Sequence, residues 1–176
     1  NNFGLPFEPV QGGDGDDTFL FTGGVADFAF DGGPGTDTLS FAKASSYVEI
    51  DDQAFFHLDA GGGGALERVP EIIIGTRFDD VLWPAADTMN GGPGNDLLIG
   101  GDGLDTASYA GTGSGVTVSL ATTAAQNTIG AGIDTLIAIE NLTGSDFSDT
   151  LTGNAGANVL DGGLGNDQLS GLAGAL

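Results

Sequence analysis

The feature that most constrains this chain is a six-residue string, Gly-Gly-x-Gly-x-Asp, that occurs five times. An apolar or small residue stands at the eighth place of each copy, and contiguous copies follow one another every nine residues. Glycine permits the positive φ angles of a tight turn, and the eighth residue supplies a side chain for an interior. The string therefore predicts stacked turns joined by short strands. The copies begin at Gly12, Gly32, Gly91, Gly100 and Gly162.

A large negative charge accompanies the repeats. The 176 residues include 25 acidic and 3 basic side chains, for a formal net charge of −22. This charge opposes compaction and argues against nucleic acid or an anionic membrane as a partner. The apolar content of 40% is too high for a plainly disordered chain. We therefore expect a bound cation to neutralise the carboxylates as the chain folds, and no insertion into a membrane.

Several classes of protein find no support in the sequence. There is no cysteine, hence no disulfide framework, and no apolar stretch approaches the ~18 residues of a membrane span. The first residues lack a signal-peptide pattern, and the last six read as a repeat cut partway, which predicts a fragment of a longer protein. The sole histidine, His57, lacks the partners of a metalloprotease motif, and no Gly-x-Ser-x-Gly string is present. We expect no enzyme activity in this chain.

The chain also repeats at a spacing of about seventy residues. The stretch from Thr36 to Ala42 resembles the one from Leu104 to Ala110, and Gly75–Leu82 resembles Gly144–Leu151. This predicts leading degenerate repeats over 1–29, a first module over 30–99 and a second module over 100–176. The second module keeps the nine-residue register better, because two residues are missing between Leu82 and Gly91.

Two excursions, 43–74 and 111–143, are not plain nine-residue repeats. We expect Gly61–Gly64 to form a loop tip and 65–71 to hold a helical turn limited by Pro70. The apolar runs 72–74 and 136–139 are interpreted as equivalent ends of the two excursions. Both excursions are open to two readings, coils without metal or surfaces with another use.

The repeat suits a calcium ion. Calcium takes six to eight oxygen ligands in a tolerant geometry, which matches main-chain carbonyls combined with aspartate. Magnesium prefers a strict octahedron and keeps its waters, and zinc prefers Cys or His. The candidate metal-site residues are Gly12, Asp14, Asp17, Gly32, Gly35, Asp37, Asp80, Asp87, Gly91, Gly94, Asp96, Gly100, Gly103, Asp105, Asp149, Asn158, Gly162, Gly165 and Asp167.

If one repeat forms half a coil, each turn stacks on the next turn but one. On that geometry Asp149 and Asp167 share an ion across the row that contains Asn158, whose neutral oxygen predicts a weaker site. The other predicted pairs are Asp80 with Asp96, Asp87 with Asp105, and Asp17 with Asp37. Ordinary solvated turns would account for one such motif but not for five copies in a fixed register.

The repeats, together with the phrase from Ile139 to Asn154, resemble the RTX, or hemolysin-type calcium-binding, domains of secreted bacterial proteins. The resemblance implies an all-β, right-handed parallel β-roll with calcium in both rows of turns. It also implies type I export and folding on calcium outside the cell, hence an extracellular or cell-surface location.

Two other functions remain open at this point. A Ca²⁺-stabilised adhesin or surface-layer scaffold would suit the tandem modules, with self-association through the ends of the solenoid. A carbohydrate-binding module, directed at an extracellular polysaccharide or a cell-surface partner, would use exposed aromatic rings. Core packing is the simpler account of those rings. The rings concerned are Phe41, Tyr47, Phe55, Phe56 and Trp83.

Overall fold

The computed structural model describes residues 10–22, 28–50, 55–58, 62–83 and 87–172. Within these ranges the chain forms short strands and no helix. The described residues therefore contain no helix that is long and apolar enough to cross a membrane. The first ten strands are β1 (Val10–Gln11), β2 (Thr18–Leu20), β3 (Phe28–Asp31), β4 (Thr38–Ser40), β5 (Val48–Ile50), β6 (Phe55–Leu58), β7 (Gly62–Arg68), β8 (Ile72–Ile74), β9 (Val81–Leu82) and β10 (Thr88–Asn90). The others are β11 (Leu97–Ile99), β12 (Thr106–Ser108), β13 (Thr117–Ser119), β14 (Gln126–Asn127), β15 (Ile133–Ile137), β16 (Asn141–Thr143), β17 (Thr150–Thr152), β18 (Leu160–Asp161) and β19 (Gln168–Ser170).

The strands wind into a roll whose successive coils pair in parallel. One sheet has the order β1-β3-β7-β6-β5-β9-β11-β15-β14, and the facing sheet has the order β18-β16-β12-β10-β8-β4-β2. A third sheet, β13-β17-β19, takes over from the first in the last coils. The expected all-β parallel roll is confirmed. The seven-stranded sheet runs without a break across residue 100, since β10 pairs with both β8 and β12; the division into modules stays a prediction.

The interior is built from the eighth-place side chains. Leu39, Leu82, Leu98 and Leu151 are at most 2% exposed, and so is Met89, which follows the two-residue deletion. These positions recur because each short strand points its middle residue inward, so each coil lays one apolar layer on the next. The repeat pattern therefore specifies the core directly.

Each excursion adds a pair of strands to one sheet only. In the first, β6 pairs antiparallel with β5 and β7, and β7 then pairs parallel with β3. On the opposite face β4 pairs directly with β8. In the second, β15 pairs parallel with β11 and antiparallel with β14, while β12 pairs directly with β16. The excursions are therefore strand hairpins inserted between coils.

Three expectations for the excursions are wrong. No helical turn follows residue 65, because 62–68 form β7 between two partner strands, and Pro70 follows the strand. Gly62–Gly64 lie in that strand instead of at a loop tip, and Gly61 lies outside the described residues. The apolar runs are not equivalent, since Ile73 lies in β8 of the seven-stranded sheet and Leu136 lies in β15 of the other.

Candidate metal centre

The turns between strands stack in two rows. Row A comprises the turns that lead into the seven-stranded sheet: 12–17, 32–37, 69–71, 100–105, 138–140 and 153–158, with the turn that ends at Asp87. Row B comprises turns that leave that sheet: 75–80, 91–96, 144–149 and 162–167. The turns of each row lie at one edge of successive coils. Neighbouring turns within a row are therefore separated by the spacing of parallel strands.

The sixth-place aspartates of neighbouring coils are joined by one recurring hydrogen bond. The main-chain N–H of one aspartate donates to Oδ1 of the next, at 3.0 Å from Asp17 to Asp37. The same bond measures 2.9 Å from Asp80 to Asp96 and 3.0 Å from Asp149 to Asp167. The structure thus brings together three of the pairs expected from the sequence.

The fourth expected pair also lies on neighbouring coils, in spite of the deletion. Thr88 is the register partner of Thr106, and the Thr106 N–H donates to the carbonyl of Asp87 at 2.9 Å. Asp87 is exposed and Asp105 is buried. The row that contains Asp27 lies outside the described residues, so that part of the leading piece is not placed.

Glycine is required where turns meet turns. Gly33 has φ of 96°, and a Cβ there would overlap the carbonyl oxygen of Gly13 in the preceding coil. A Cβ on the first-place Gly162 would overlap Asp167 Oδ2 of its own turn. The same first-place overlap holds for Gly12, Gly32, Gly75, Gly91 and Gly144. Each repeat therefore has a small cradle between its first glycine and its sixth-place carboxylate.

Two row A carboxylates have an oxygen with no partner. Asp17 Oδ2 and Asp105 Oδ2 are buried, and neither receives a hydrogen bond from the residues that the structure describes. Leaving a buried carboxylate oxygen unpaired is costly, so such an oxygen is a natural ligand for a cation. The carboxylates of Asp17 and Asp105 therefore fit a bound cation.

Row B carboxylates that follow an excursion are satisfied by the protein. Asp80 accepts from the Thr76 N–H at 2.6 Å, the Thr76 hydroxyl at 2.9 Å and the Val48 N–H at 2.7 Å. Asp149 accepts from the equivalent groups of Ser145 and Val116. In both turns a hydroxyl residue replaces the second glycine of the repeat.

The electrostatics of the turns are those of crowded buried carboxylates. Burial raises the pKa of Asp96 to about 8, and the negative charges of Asp134 and Asp80 contribute to the rise. Burial likewise raises the pKa of Asp80 to about 6, against the hydrogen bonds from Thr76 and Val48. The pKa of Asp105 is raised by burial and then by the charges of Glu140 and Asp87. A divalent cation would relieve each of these interactions.

Two glutamates that the sequence analysis missed occupy sixth-place positions in row A. The Asp37 N–H donates to Glu71 Oε2 at 2.8 Å, and the Asp105 N–H donates to Glu140 Oε2 at 2.9 Å. Both belong to three-residue turns that close an excursion, where the longer glutamate reaches the place that aspartate takes elsewhere. Their signal is the apolar residue two places later, Ile73 or Leu142, as in every repeat.

Two other candidate metal-site residues, Asp14 and Asn158, lie outside the aspartate pairs. Asp14 is exposed at the third place of its turn. Asn158 is buried, and its amide donates to the Glu140 carbonyl at 2.8 Å, continuing row A. The Arg77 guanidinium, in the row B turn 75–80, lies 5.1 Å from the centre of the Phe78 ring.

The aromatic rings divide between core and surface. Phe41 and Phe56 are fully buried with ring centres 5.5 Å apart, so they belong to the core. Tyr47 is 37% exposed and Trp83 is 40% exposed. The side chain of Phe55 lies outside the described set. Two of the five rings are thus removed from any sugar-stacking surface.

The donor set points to a hard cation with a mixed shell. Over the described ranges, no three acidic or histidine side chains converge closely enough to hold a metal by themselves. A cation in these turns would take one or two carboxylates and complete its shell with main-chain carbonyls and water. Calcium accepts such a shell more readily than magnesium or zinc.

A family model matches part of the chain. The RTX calcium-binding nonapeptide repeat matches in four copies, over residues 84–108 and 143–175. No curated protein matches the chain at a significant level. The matched stretches contain the turns that end at Asp87, Asp96, Asp105, Asp149, Asn158 and Asp167. Over these two stretches the chain is built from RTX calcium-binding nonapeptide repeats.

Proposed function

We propose that this domain binds several calcium ions between its stacked turns and folds fully only when they are bound, after export from the bacterial cell. The buried, unpaired Asp105 Oδ2 carries the proposal, because it lies in a matched repeat and lacks the partner that a cation would supply. The net charge of −22 supports it, since neutralisation removes the main force against compaction.

The ligands proposed for row A extend the set taken from the sequence. Asp105 and Glu140 would hold one ion, and Asp17, Asp37 and Glu71 would hold others, each with carbonyls of the glycine turns. In row B the proposed positions lie between Asp80 and Asp96 and between Asp149 and Asp167. Calcium here is structural, and we propose no catalytic role for the chain.

Export and location follow from the kind of repeat. RTX repeats are typical of proteins secreted by type I systems, and cytosolic calcium is too low to fill sites of moderate affinity. A chain that stays open inside the cell and closes outside it would suit such export. We therefore propose an extracellular or cell-surface location.

The test is a calcium titration of EGTA-treated protein followed by far-UV circular dichroism. Wild type should gain β-signal between sub-millimolar and millimolar calcium, and an equal concentration of magnesium should not reproduce the change. Asp105→Asn should require more calcium. The matched control is Asp102→Asn, which removes the same charge from an exposed position in the same turn. A fully formed spectrum in EGTA with no change on adding calcium would refute the proposal.

A further inference from the structure

The second excursion contains a stretch with repeat spacing that the family match does not cover. Residues 129–137 place Gly132, Asp134 and Leu136 at the fourth, sixth and eighth places of a nine-residue unit. Leu136 is 2% exposed, as expected of an eighth-place residue, and Asp134 is 1% exposed. Gly132 has φ of 134°, like the fourth-place glycines of most other turns.

This stretch stacks on the row B turn 91–96 in the register of a true repeat. A Cβ on Gly132 would overlap the carbonyl oxygen of Gly94, which is the contact that Gly35 makes with Gly15. The Asp96 N–H donates to Asp134 Oδ1 at 3.0 Å, which is the sixth-place bond of the other coils.

The neighbouring places keep the same register. The Ile133 N–H donates to Asn95 Oδ1 at 2.9 Å, just as the Asn95 N–H donates to Asp79 Oδ1 at 2.8 Å. The strands that follow pair in parallel, with Leu98 opposite Leu136. From the fourth to the eighth place, the stretch 129–137 therefore makes the contacts of a row B repeat.

The first place lacks the cradle that a glycine forms there in other turns. Ile129 occupies the first place with φ of 66°, a strained value for a β-branched residue. The second oxygen of Asp134 is taken by two hydroxyls. Thr128 Oγ1 lies 3.1 Å from Asp134 Oδ2 and 2.9 Å from the Gly132 carbonyl oxygen, so its one proton is shared between these two acceptors. The buried Tyr109 hydroxyl donates to Asp134 Oδ2 at 3.3 Å.

We propose that residues 129–137 are a concealed repeat in which the Thr128 and Tyr109 hydroxyls hold Asp134 without calcium. This rests on the proposed function, since it assigns one coil of the same roll to a metal-free state. Donors to the carboxylate alone do not exclude calcium, since Asp80 and Asp149 also have them, but those turns begin with Gly75 and Gly144. In 129–137 Ile129 replaces that glycine, so a cation would have to displace internal hydrogen bonds at a turn that lacks the glycine cradle. At Asp105 a cation would displace none from Oδ2.

A metal-free repeat in the roll would influence how the neighbouring calcium sites form. The coil 129–137 lies between the row B positions near Asp96 and those near Asp149, in the middle of the roll. A coil that forms without metal would give the chain a fixed template on which β11 is already paired when calcium arrives. Calcium would then add coils to an existing nucleus.

The test counts bound calcium by isothermal titration calorimetry and by metal analysis after gel filtration. Asp134→Asn should bind as many ions as wild type, with affinity within about twofold, whereas Asp105→Asn should bind one ion fewer or bind it at least tenfold more weakly. A loss of one ion in Asp134→Asn would overturn the inference. If wild type binds no calcium, it is the proposed function that fails.

A second variant covers the case in which Asp134→Asn does not fold. Tyr109→Phe combined with Thr128→Val removes both hydroxyls and keeps the aspartate. This variant should bind the same number of ions as wild type but lose β-signal in EGTA, because Asp134 Oδ2 then has neither hydroxyl and no cation replaces them. An unchanged EGTA spectrum, or one ion fewer in calcium, would overturn the inference.

Discussion

Asp105 in row A and Asp134 in the second excursion are both buried sixth-place carboxylates, yet they are completed in opposite ways. Asp105 Oδ2 has no donor, whereas Asp134 Oδ2 accepts from two hydroxyls. The Asp96 N–H donates to Asp134 Oδ1, and the Asp105 N–H donates to Glu140 Oε2, so each of the two turns is joined to a neighbouring turn by a main-chain bond of the same type. The roll therefore has two ways to bury a carboxylate, with a cation or with a hydroxyl.

The largest effect should come from the core that both rows share. Leu151→Ala removes a fully buried eighth-place side chain and should cost about 3 kcal/mol in the free energy of unfolding with calcium present. Leu169→Ala is the matched control, since it changes the same place in the last described coil, where the side chain is 50% exposed. Equal losses in urea unfolding would contradict the assignment of the eighth place to the core.

The next effect tests the close approach of turns. Gly33→Ala introduces a Cβ at positive φ against the Gly13 carbonyl and should cost about 2 kcal/mol or more. Gly13→Ala has a similar φ and the same second place, but open space around its Cβ. It should show the conformational cost alone, about 1 kcal/mol. If thermal melts rank the two variants equally, stacking does not limit these positions.

A smaller effect should come from the hydroxyls that support the row B carboxylates. Ser145→Ala removes the hydroxyl that donates to Asp149 and accepts from the Phe147 N–H. It should destabilise the protein by about 1 kcal/mol, through the loss of buried hydrogen bonds. Ser148→Ala is the control, because its hydroxyl makes only an exposed contact with the Asn166 N–H. Chemical denaturation of both variants in saturating calcium checks the ranking.

A last prediction, which concerns the calcium-free protein alone, is a pH dependence of its stability. Burial raises the pKa of Asp96 to about 8 and that of Asp80 to about 6, so the folded state holds protons that the unfolded state releases. Stability without calcium should therefore fall as pH rises from about 4 to about 8. Melting temperatures in EGTA should therefore be lower at pH 8 than at pH 5. A rise over that range would contradict the burial of these carboxylates.

Much of the roll could be predicted from the repeats, because glycine turns and eighth-place residues act within one coil. The hairpins could not, since β7 depends on pairing with β3 and β6, and its glycine-rich sequence favours a loop when considered alone. Asp134 could have been found from its spacing to Gly132 and Leu136. Its hydroxyl partners could not, because Tyr109 lies 25 residues away along the chain.

The most direct test of the account is amide hydrogen exchange in EGTA and in calcium, resolved to single residues by NMR. In EGTA the Asp96 and Ile133 amides, which bond to the 129–137 coil and its neighbour, should stay protected. The Asp17 and Asp105 amides of row A should exchange rapidly and gain at least a hundredfold protection when calcium is added. Equal protection of both sets without calcium, or equal loss, would contradict the division between metal-held and hydroxyl-held turns.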